Sequence, residues 1–128
     1  MHYLLDTHAL IWWWMNSPRL SVAARKTLSD SSNVMFVSTA SIYEIALKSG
    51  LGKLPEIEDP ARDYRPLMER NGFVSLPISD VHAMKAGLLE GTHRDPFDRL
   101  IAAQGIVEGI PVITCDPALA SLGCAVLW

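Results

Sequence analysis

The chain has 128 residues, of which 49% are hydrophobic and 20% are charged. This balance is typical of one globular domain, predicted to span residues 1–128, and it excludes a disordered or low-complexity chain. The formal net charge of −3 argues against a protein that coats nucleic acid, because such proteins carry a basic excess that neutralises phosphates. An enzyme acting on nucleic acid stays open, since a bound divalent cation reverses the local charge of clustered acids.

Nothing in the sequence predicts export or membrane insertion. No basic leader with a small-residue cleavage site precedes Asp6, and the longest apolar run, residues 9–15, is too short to cross a bilayer. We therefore expect a cytoplasmic protein without membrane association. In such a chain Cys115 and Cys124 are expected to be buried thiols rather than a disulfide.

The strands are predicted from short apolar runs rich in branched residues, at 3–5, 34–37, 73–76, 112–114 and 125–127. Segments with helical spacing alternate with them. Their starts are marked by helix-opening residues: Ser21, Ser38 or Ser41, Ser79 and Asp95. Because parallel strands are normally connected through a helix, this alternation predicts an α/β fold with a central parallel sheet of about five strands and helices on both faces.

Four acidic residues from separate segments are predicted to meet at one edge of this sheet. Asp6 follows the first strand, and Asp116 lies just past the fourth. Glu44 falls in the helix after the second strand, and Asp98 in the first turn of the helix before the fourth. Ligands of parallel sheets bind beyond the carboxyl ends of the strands, where the strand order reverses. We therefore take these four residues as candidate catalytic and metal-ligating groups.

Two of these acids also have a structural explanation. Asp6 is placed where a helix cap or turn former is common. Ser41 and Glu44 fit a capping box, and Glu44 with Lys48 fits an ion pair one helical turn apart. From its own segment, Glu44 is explained equally well by structure and by function.

Three further polar residues are candidates to support the acids. In HRDPFDRLIAAQ, Asp95 precedes a proline, a common helix opening, so it is interpreted as the cap or an outer partner and Asp98 as the ligand. Thr7, beside the first acid, can cap the following helix or hold the acid or a water. Thr114 is expected to point to the same side as the last acid and to orient a carboxylate or water.

A carboxylate cluster predicts a bound cation and a phosphate substrate. Packed carboxylates repel one another, and a divalent cation removes the conflict. Oxygen ligands without a Cys or His pattern select Mg²⁺ or Mn²⁺, which suit phosphodiester cleavage. Lys48, Lys53 and Arg99 are candidate contacts to RNA phosphates, with solvated surface charges as the alternative.

The segments LLDTHALIWW, SIYEIALKSGLGKL, HRDPFDRLIAAQ and VITCDPAL, in this order, resemble the PIN-domain ribonucleases. Across essentially the whole chain, the sequence is most similar to the VapC-type toxins of type II toxin–antitoxin systems. The resemblance implies a PIN-like three-layer α/β/α sandwich, Mg²⁺- or Mn²⁺-dependent endonucleolytic cleavage of RNA, a homodimer and a VapB-like antitoxin. The family's acidic positions fall on Asp6, Glu44, Asp98 and Asp116. The resemblance suggests transfer RNA as one substrate to consider, and it does not identify the RNA target.

Two alternatives to a nuclease are compatible with acids at the strand ends. A receiver-like phosphoacceptor domain also gathers acids at parallel strand ends, but it requires a lysine after the last of these strands, and none follows Thr114. A catalytically silent PIN-fold binding module is the second alternative, and the retention of all four acids argues against it.

A run of large apolar residues, IWWWM at 11–15, surrounds a whole helical turn. One core face hides fewer residues than this. We expect some of them to contact a second chain. The alternative is a small helix covered on two sides by its own chain.

Overall fold

The computed structural model describes residues 1–128 and contains five strands and seven helices. In chain order these are β1 (His2–Leu5), α1 (Thr7–Trp14), α2 (Val22–Ser29), β2 (Val34–Ser38), α3 (Thr39–Gly50), α4 (Pro60–Asn71), β3 (Val74–Leu76), α5 (Asp80–Leu88), α6 (Pro96–Glu108), β4 (Val112–Ile113), α7 (Pro117–Ser121) and β5 (Val126–Leu127). The strands form one parallel sheet in the order β3-β2-β1-β4-β5. None of the helices combines the length and hydrophobicity that a membrane crossing requires.

All five predicted strands are confirmed, and the predicted helix starts are close to those observed. Of the two candidate caps for α3, Ser38 is the one used, because its hydroxyl accepts a hydrogen bond from the amide of Ala40. Ser41 lies inside the helix. The capping box predicted for Ser41 and Glu44 is therefore wrong.

Alternating side chains along β1 divide the interior into two cores, one on each face of the sheet. Tyr3 and Leu5 pack with residues of α1, α2, α3 and α4. Leu4 points the other way and packs with residues of α6 and α7. The period-two alternation of a strand between two helical layers produces the predicted three-layer α/β/α sandwich.

Helix α4 was not predicted, because Pro66 lies inside it. A proline in a helix interior removes one hydrogen bond and crowds the preceding turn, so the segment reads as irregular. The helix forms because its ends are well specified. The Asp59 side chain accepts a hydrogen bond from the amide of Arg62, and Gly72 ends the helix with a φ of 65°.

The three tryptophans of the IWWWM run pack against their own chain. They are half-buried against the core formed by α1, α2, α3 and α4. The Trp13 indole donates a hydrogen bond of 3.1 Å to Asn71 Oδ1, and the Trp12 ring packs edge-on against Trp128 at 5.7 Å between centroids. The structure therefore supports the alternative of a helix covered on two sides. Because the tryptophans are only half-buried and Met15 is exposed, the expected contact of this run with a second chain stays a prediction.

Gly105 lets α6 approach β4 closely, and its replacement with alanine is expected to destabilise the protein. A Cβ atom there would lie 2.9 Å from Val112 Cγ2 and 3.2 Å from the Ile110 carbonyl oxygen. Overpacking of this kind costs about 1–3 kcal/mol, and the middle of this range exceeds the roughly 1 kcal/mol that alanine gains over glycine in a helix. Gly87→Ala in α5 is the matched control, because nothing lies within 4 Å of its added Cβ. Urea unfolding should show a loss for Gly105→Ala and none for Gly87→Ala, and equal stabilities would contradict the close approach.

Candidate active site

The first acid of the site, Asp6, lies where the strand order reverses. It follows β1 directly, and the neighbouring β4 is paired with β1 through Leu5 and Ile113. The Thr114 hydroxyl donates a hydrogen bond of 2.8 Å to Asp6 Oδ2 and accepts one of 3.0 Å from the Asp116 amide. Thr114 therefore orients a carboxylate, as its position predicted, and links the ends of both strands.

The Asp6 carboxyl group is buried without a cationic partner. Its residue is only 3% exposed, and no lysine, arginine or histidine nitrogen lies within 4 Å of its oxygens. Burial raises the pKa of Asp6 to about 6, and the charge of Asp98 adds to the rise, although the Thr114 hydrogen bond and the charge of His8 oppose it. Asp6 holds the N-cap position of α1, yet its side chain makes no capping hydrogen bond. Helix capping therefore does not explain this acid.

Asp98 is held by a histidine that the sequence analysis missed. Its Oδ2 lies 2.7 Å from His93 Nε2. Burial raises the pKa of Asp98, the His93 hydrogen bond lowers it, and the charges of Asp95 and Asp116 raise it further. Asp98 is thus close enough to both Asp6 and Asp116 for their charges to repel. A lone histidine before the DPFD segment has no ligand spacing that would have singled it out.

Asp95 and Asp116 both cap helices. The Asp95 carboxylate accepts hydrogen bonds from the amides of Phe97 and Asp98 at the start of α6, which agrees with its interpretation as a cap. Asp95 therefore fixes the backbone turn from which the Asp98 side chain projects. The Asp116 side chain accepts a hydrogen bond of 2.9 Å from the Ala118 amide at the start of α7.

Glu44 is buried, with 6% of the residue exposed, and is paired with a lysine. Its Oε2 lies 2.7 Å from Lys48 Nζ, the ion pair that the sequence offered as an alternative to function. One turn earlier, the buried Ser41 hydroxyl lies 2.9 Å from Thr7 Oγ1. Thr7 therefore connects α1 to α3, and its observed side-chain hydrogen bond is to Ser41 rather than to an acid.

The four acids do not form a ready-made metal cage. No group of three or more histidine, cysteine, aspartate or glutamate side chains is close enough to hold an ion. The convergence of all four carboxylates on one cation therefore stays a prediction. Three of them are engaged elsewhere: Asp98 with His93, Asp116 as a cap and Glu44 with Lys48. The donor set still fits a hard divalent cation, because it consists of carboxylate oxygens around an uncompensated buried Asp6.

Arg99 is tied to the backbone and is not free to bind RNA phosphates. Its guanidinium donates hydrogen bonds to the carbonyl oxygens of Ala86, Gly87, Leu89 and His93. These carbonyls lie at the end of α5 and in the loop before α6. The assignment of Arg99 as an RNA contact is therefore corrected to that of a loop anchor. Of the other two candidate RNA contacts, Lys48 is paired with Glu44, whereas Lys53 is exposed and has no carboxylate within 4 Å.

Both cysteines are free, as expected, but only Cys124 is buried. The exposed Cys115 adjoins Asp116, and partial burial together with the charge of Asp6 raises the pKa of its thiol. A raised pKa keeps the thiol protonated, which is the opposite of what a nucleophilic cysteine requires. Cys115 is therefore not a candidate nucleophile.

The fold and this edge define a class of protein: a parallel α/β sandwich with acidic side chains where the strand order reverses. A family model supplies the particular assignment. The PIN domain model matches residues 3–123, and the chain belongs to the PIN domain family. The identification inferred from the four sequence motifs is thereby confirmed.

Similar proteins point to one branch of this family. The chain is 30% identical over 119 residues to ribonuclease VapC22 of Mycobacterium tuberculosis, covering 92% of this chain and 89% of that protein. A DNA-bound VapBC from Salmonella typhimurium has a TM-score of 0.74 at 20% identity, covering 99% of this chain and 97% of that one. VapBC2 from Rickettsia felis, bound to a DNA fragment from its promoter, has a TM-score of 0.73 at 18% identity, covering 99% and 98%. At these identities the two structures establish the shared fold.

Proposed function

We propose that this protein is a Mg²⁺- or Mn²⁺-dependent endoribonuclease, the toxin of a type II toxin–antitoxin pair. The observation that carries the proposal is the buried, unpaired Asp6 carboxylate, held by Thr114 where the strand order reverses. The similarity of this chain to a ribonuclease, over 92% of its length, supports RNA as the substrate. Transfer RNA is the first substrate to test, and single-stranded loops are the expected cleavage sites because their bases are accessible.

Asp6, Glu44, Asp98 and Asp116 would hold the ion. When bound, the ion supplies a more acidic water and neutralises the charge that builds on the phosphate. Asp6 needs no rearrangement, since Thr114 already fixes its carboxylate. Asp98 and Glu44 would turn from His93 and Lys48, which would leave both basic groups beside the substrate.

The experiment that tests the function is cleavage of single-stranded RNA by the purified protein with Mg²⁺, Mn²⁺ or EDTA. We expect cleavage with either ion and none with EDTA. Asp98→Asn, purified in parallel, is expected to lose at least about a hundredfold in activity, because one carboxylate of the ion site becomes a neutral amide. Asp80→Asn is the matched control, since Asp80 is an exposed acid at the start of α5. No cleavage by wild type with either ion would favour the catalytically silent PIN-fold module, whereas equal cleavage by Asp98→Asn and wild type would remove Asp98 from the proposed ion site.

We further propose a VapB-like antitoxin and a second copy of this chain as protein partners. The antitoxin is supported by the similar structures, which are of VapBC proteins. The homodimer is supported by an apolar stripe on α5, where Val81, Met84 and Leu88 are one helical turn apart and strongly exposed.

Met84→Glu is expected to convert the dimer to a monomer. Met84 is 67% exposed in the single chain and lies in the middle of the stripe, so the change should place a charge in the interface without disturbing the core. Sedimentation equilibrium measures the mass, and Lys85→Glu, an exposed neighbour, is the control. A Met84→Glu protein of unchanged dimer mass would place the interface elsewhere.

A further inference from the structure

A groove beside the acidic edge combines exposed cations with aromatic rings. It has a volume of about 370 Å³ and lies between α1, the segment after it, and the residues from the end of α3 onwards. We call it the basic groove and define it by the polar and aromatic side chains that line it: His8, Trp12, Arg19, Lys48, Lys53 and Glu56. Neither the carboxylate chemistry nor the proposed dimer uses this groove.

The groove concentrates positive charge in a protein that is acidic as a whole. Arg19 and Lys53 are exposed, and neither has a carboxylate within 4 Å. Glu56 is the one acid in the lining, and Lys48 is already paired with Glu44. Two uncompensated cations in a concave surface attract an anion more strongly than the net charge of −3 would indicate.

Aromatic rings line the same groove as these cations. The Trp12 ring is half-buried and supported edge-on by Trp128. The exposed His8 ring, one helical turn earlier, lies 5.8 Å from it at an interplanar angle of 42°. A supported aromatic face beside cations is the arrangement on which proteins stack the bases of single-stranded nucleic acid. A stacked base distinguishes RNA from a simple anion such as phosphate.

The basic groove is continuous with the acidic edge at two points. Lys48 lines the groove, and its Nζ is bonded to Glu44. His8 lines it too and is near enough to Asp6 for its charge to act on that carboxyl group. A single strand of RNA lying in the groove would therefore place one of its phosphodiesters beside the carboxylates.

We infer that the basic groove binds the single-stranded RNA segment next to the scissile phosphodiester. One base stacks on Trp12, and backbone phosphates contact Arg19 and Lys53. The inference rests on the proposed ribonuclease function and adds Trp12 and Arg19 to Lys53, which the sequence already offers as a candidate RNA contact. An acidic protein segment is the competing occupant, but an acidic segment makes no use of an aromatic stacking face.

The test measures RNA binding separately from cleavage. The probe is a fluorescein-labelled, mixed-sequence RNA of about twelve nucleotides, in EDTA, with affinity read by anisotropy over a range of KCl concentrations. The double variant Arg19→Gln/Lys53→Gln is compared with Lys26→Gln/Arg65→Gln, which makes the same charge change at exposed positions outside the groove. The groove variant should bind at least about tenfold more weakly, with a salt slope lower by roughly 1.4, while the control stays near wild type. In Mg²⁺, the groove variant should show a raised KM.

The aromatic part of the inference has its own comparison. Trp12→Leu should weaken RNA binding about five- to a hundredfold, whereas Trp12→Phe keeps a stacking face and should retain most of the affinity. Thermal unfolding of both variants separates lost stacking from lost folding, since both substitutions change the packing against Trp128.

The outcomes separate this inference from the proposed function. If the wild type cleaves RNA but the groove and control double variants bind it equally, the groove inference is overturned and the function stands. If the wild type binds RNA through the groove but does not cleave it, the groove stands and the function fails. Normal RNA binding by the groove variant together with a loss of antitoxin binding would overturn the inference in favour of a protein occupant.

Discussion

Asp6→Asn is expected to abolish RNA cleavage and, in the absence of metal, to make the protein more stable. The loss should be at least about a thousandfold in kcat/KM, because the variant removes the one carboxylate already positioned for an ion. The stability gain follows from burial. At neutral pH the wild type keeps a desolvated, uncompensated carboxylate, whereas asparagine is neutral and its carbonyl oxygen still accepts the Thr114 hydrogen bond.

The shifted pKa of Asp6 determines how the stability of the wild type changes with pH. Burial, the main cause, raises the pKa of Asp6 from 3.8 in the unfolded chain to about 6 in the folded one. The folded protein therefore binds the proton more tightly, and the resulting stability is present below about pH 4 and lost as the pH rises through about 6. A pKa rise of this size lowers the free energy of unfolding of the wild type by about 2–3 kcal/mol as the pH increases. The Asp6→Asn protein lacks this carboxyl group, so its free energy of unfolding should not show that decrease.

Urea unfolding between about pH 4 and pH 8 in EDTA, with wild type, Asp6→Asn and Asp80→Asn, measures the effect. The free energy of unfolding should fall with increasing pH in wild type and Asp80→Asn, and the part of this fall caused by Asp6 should be absent only in Asp6→Asn. Added Mn²⁺ should raise the melting temperature of the wild type near neutral pH and leave that of Asp6→Asn unchanged, since an ion that binds only the folded state stabilises it. Parallel pH curves for wild type and Asp6→Asn would show that the carboxylate is not desolvated.

The sheet was predictable from the sequence because each of its strands is a short apolar run, which is largely buried in the central strands β2, β1 and β4 and more exposed in the edge strands β3 and β5. The position of Asp6 was predictable for the same reason, since the residue after a parallel strand must lie at the carboxyl edge of the sheet. Helix α4 was not, because Pro66 argues locally against a helix that only its caps and packing stabilise. Local sequence patterns thus predict regular helices and strands, but they miss a helix such as α4 that contains a proline and is stabilised by its caps and packing.

The side-chain partners of the acids were less predictable than their positions. The Lys48 partner of Glu44 was offered because it lies one turn away on the same helix. The pairing of Ser41 with Thr7 joins residues 34 positions apart, and no local pattern encodes it. His93 and Asp98 are close in sequence, but their contact depends on the path of the loop before α6. These partners compete with a metal ion for the carboxylates. The spacing of the acids along the sequence does not reveal which partners they contact.

Arg99→Lys is the second large effect we expect, although the substitution preserves charge. The Arg99 guanidinium satisfies four carbonyl oxygens with donors spread over a planar group, and a lysine ammonium cannot reach the same set. Leaving some of these carbonyls without a partner should destabilise the protein by about 1–3 kcal/mol. Because one of the four belongs to His93, the loop that holds Asp98 should also loosen.

Two measurements distinguish this loop effect from a general loss of stability. Arg94→Lys is the matched control, since Arg94 is exposed in the same loop, makes no side-chain hydrogen bond to the chain and has no carboxylate within 4 Å. At a temperature where both variants are fully folded, Arg99→Lys should cleave RNA about tenfold more slowly than Arg94→Lys, because a misplaced catalytic group lowers the rate even in a folded protein. His93→Gln, whose amide still donates to a carboxylate, should be less impaired than His93→Ala. If Arg99→Lys matches Arg94→Lys in both stability and rate, the loop anchor does not act on Asp98, and His93 must be positioned by other contacts.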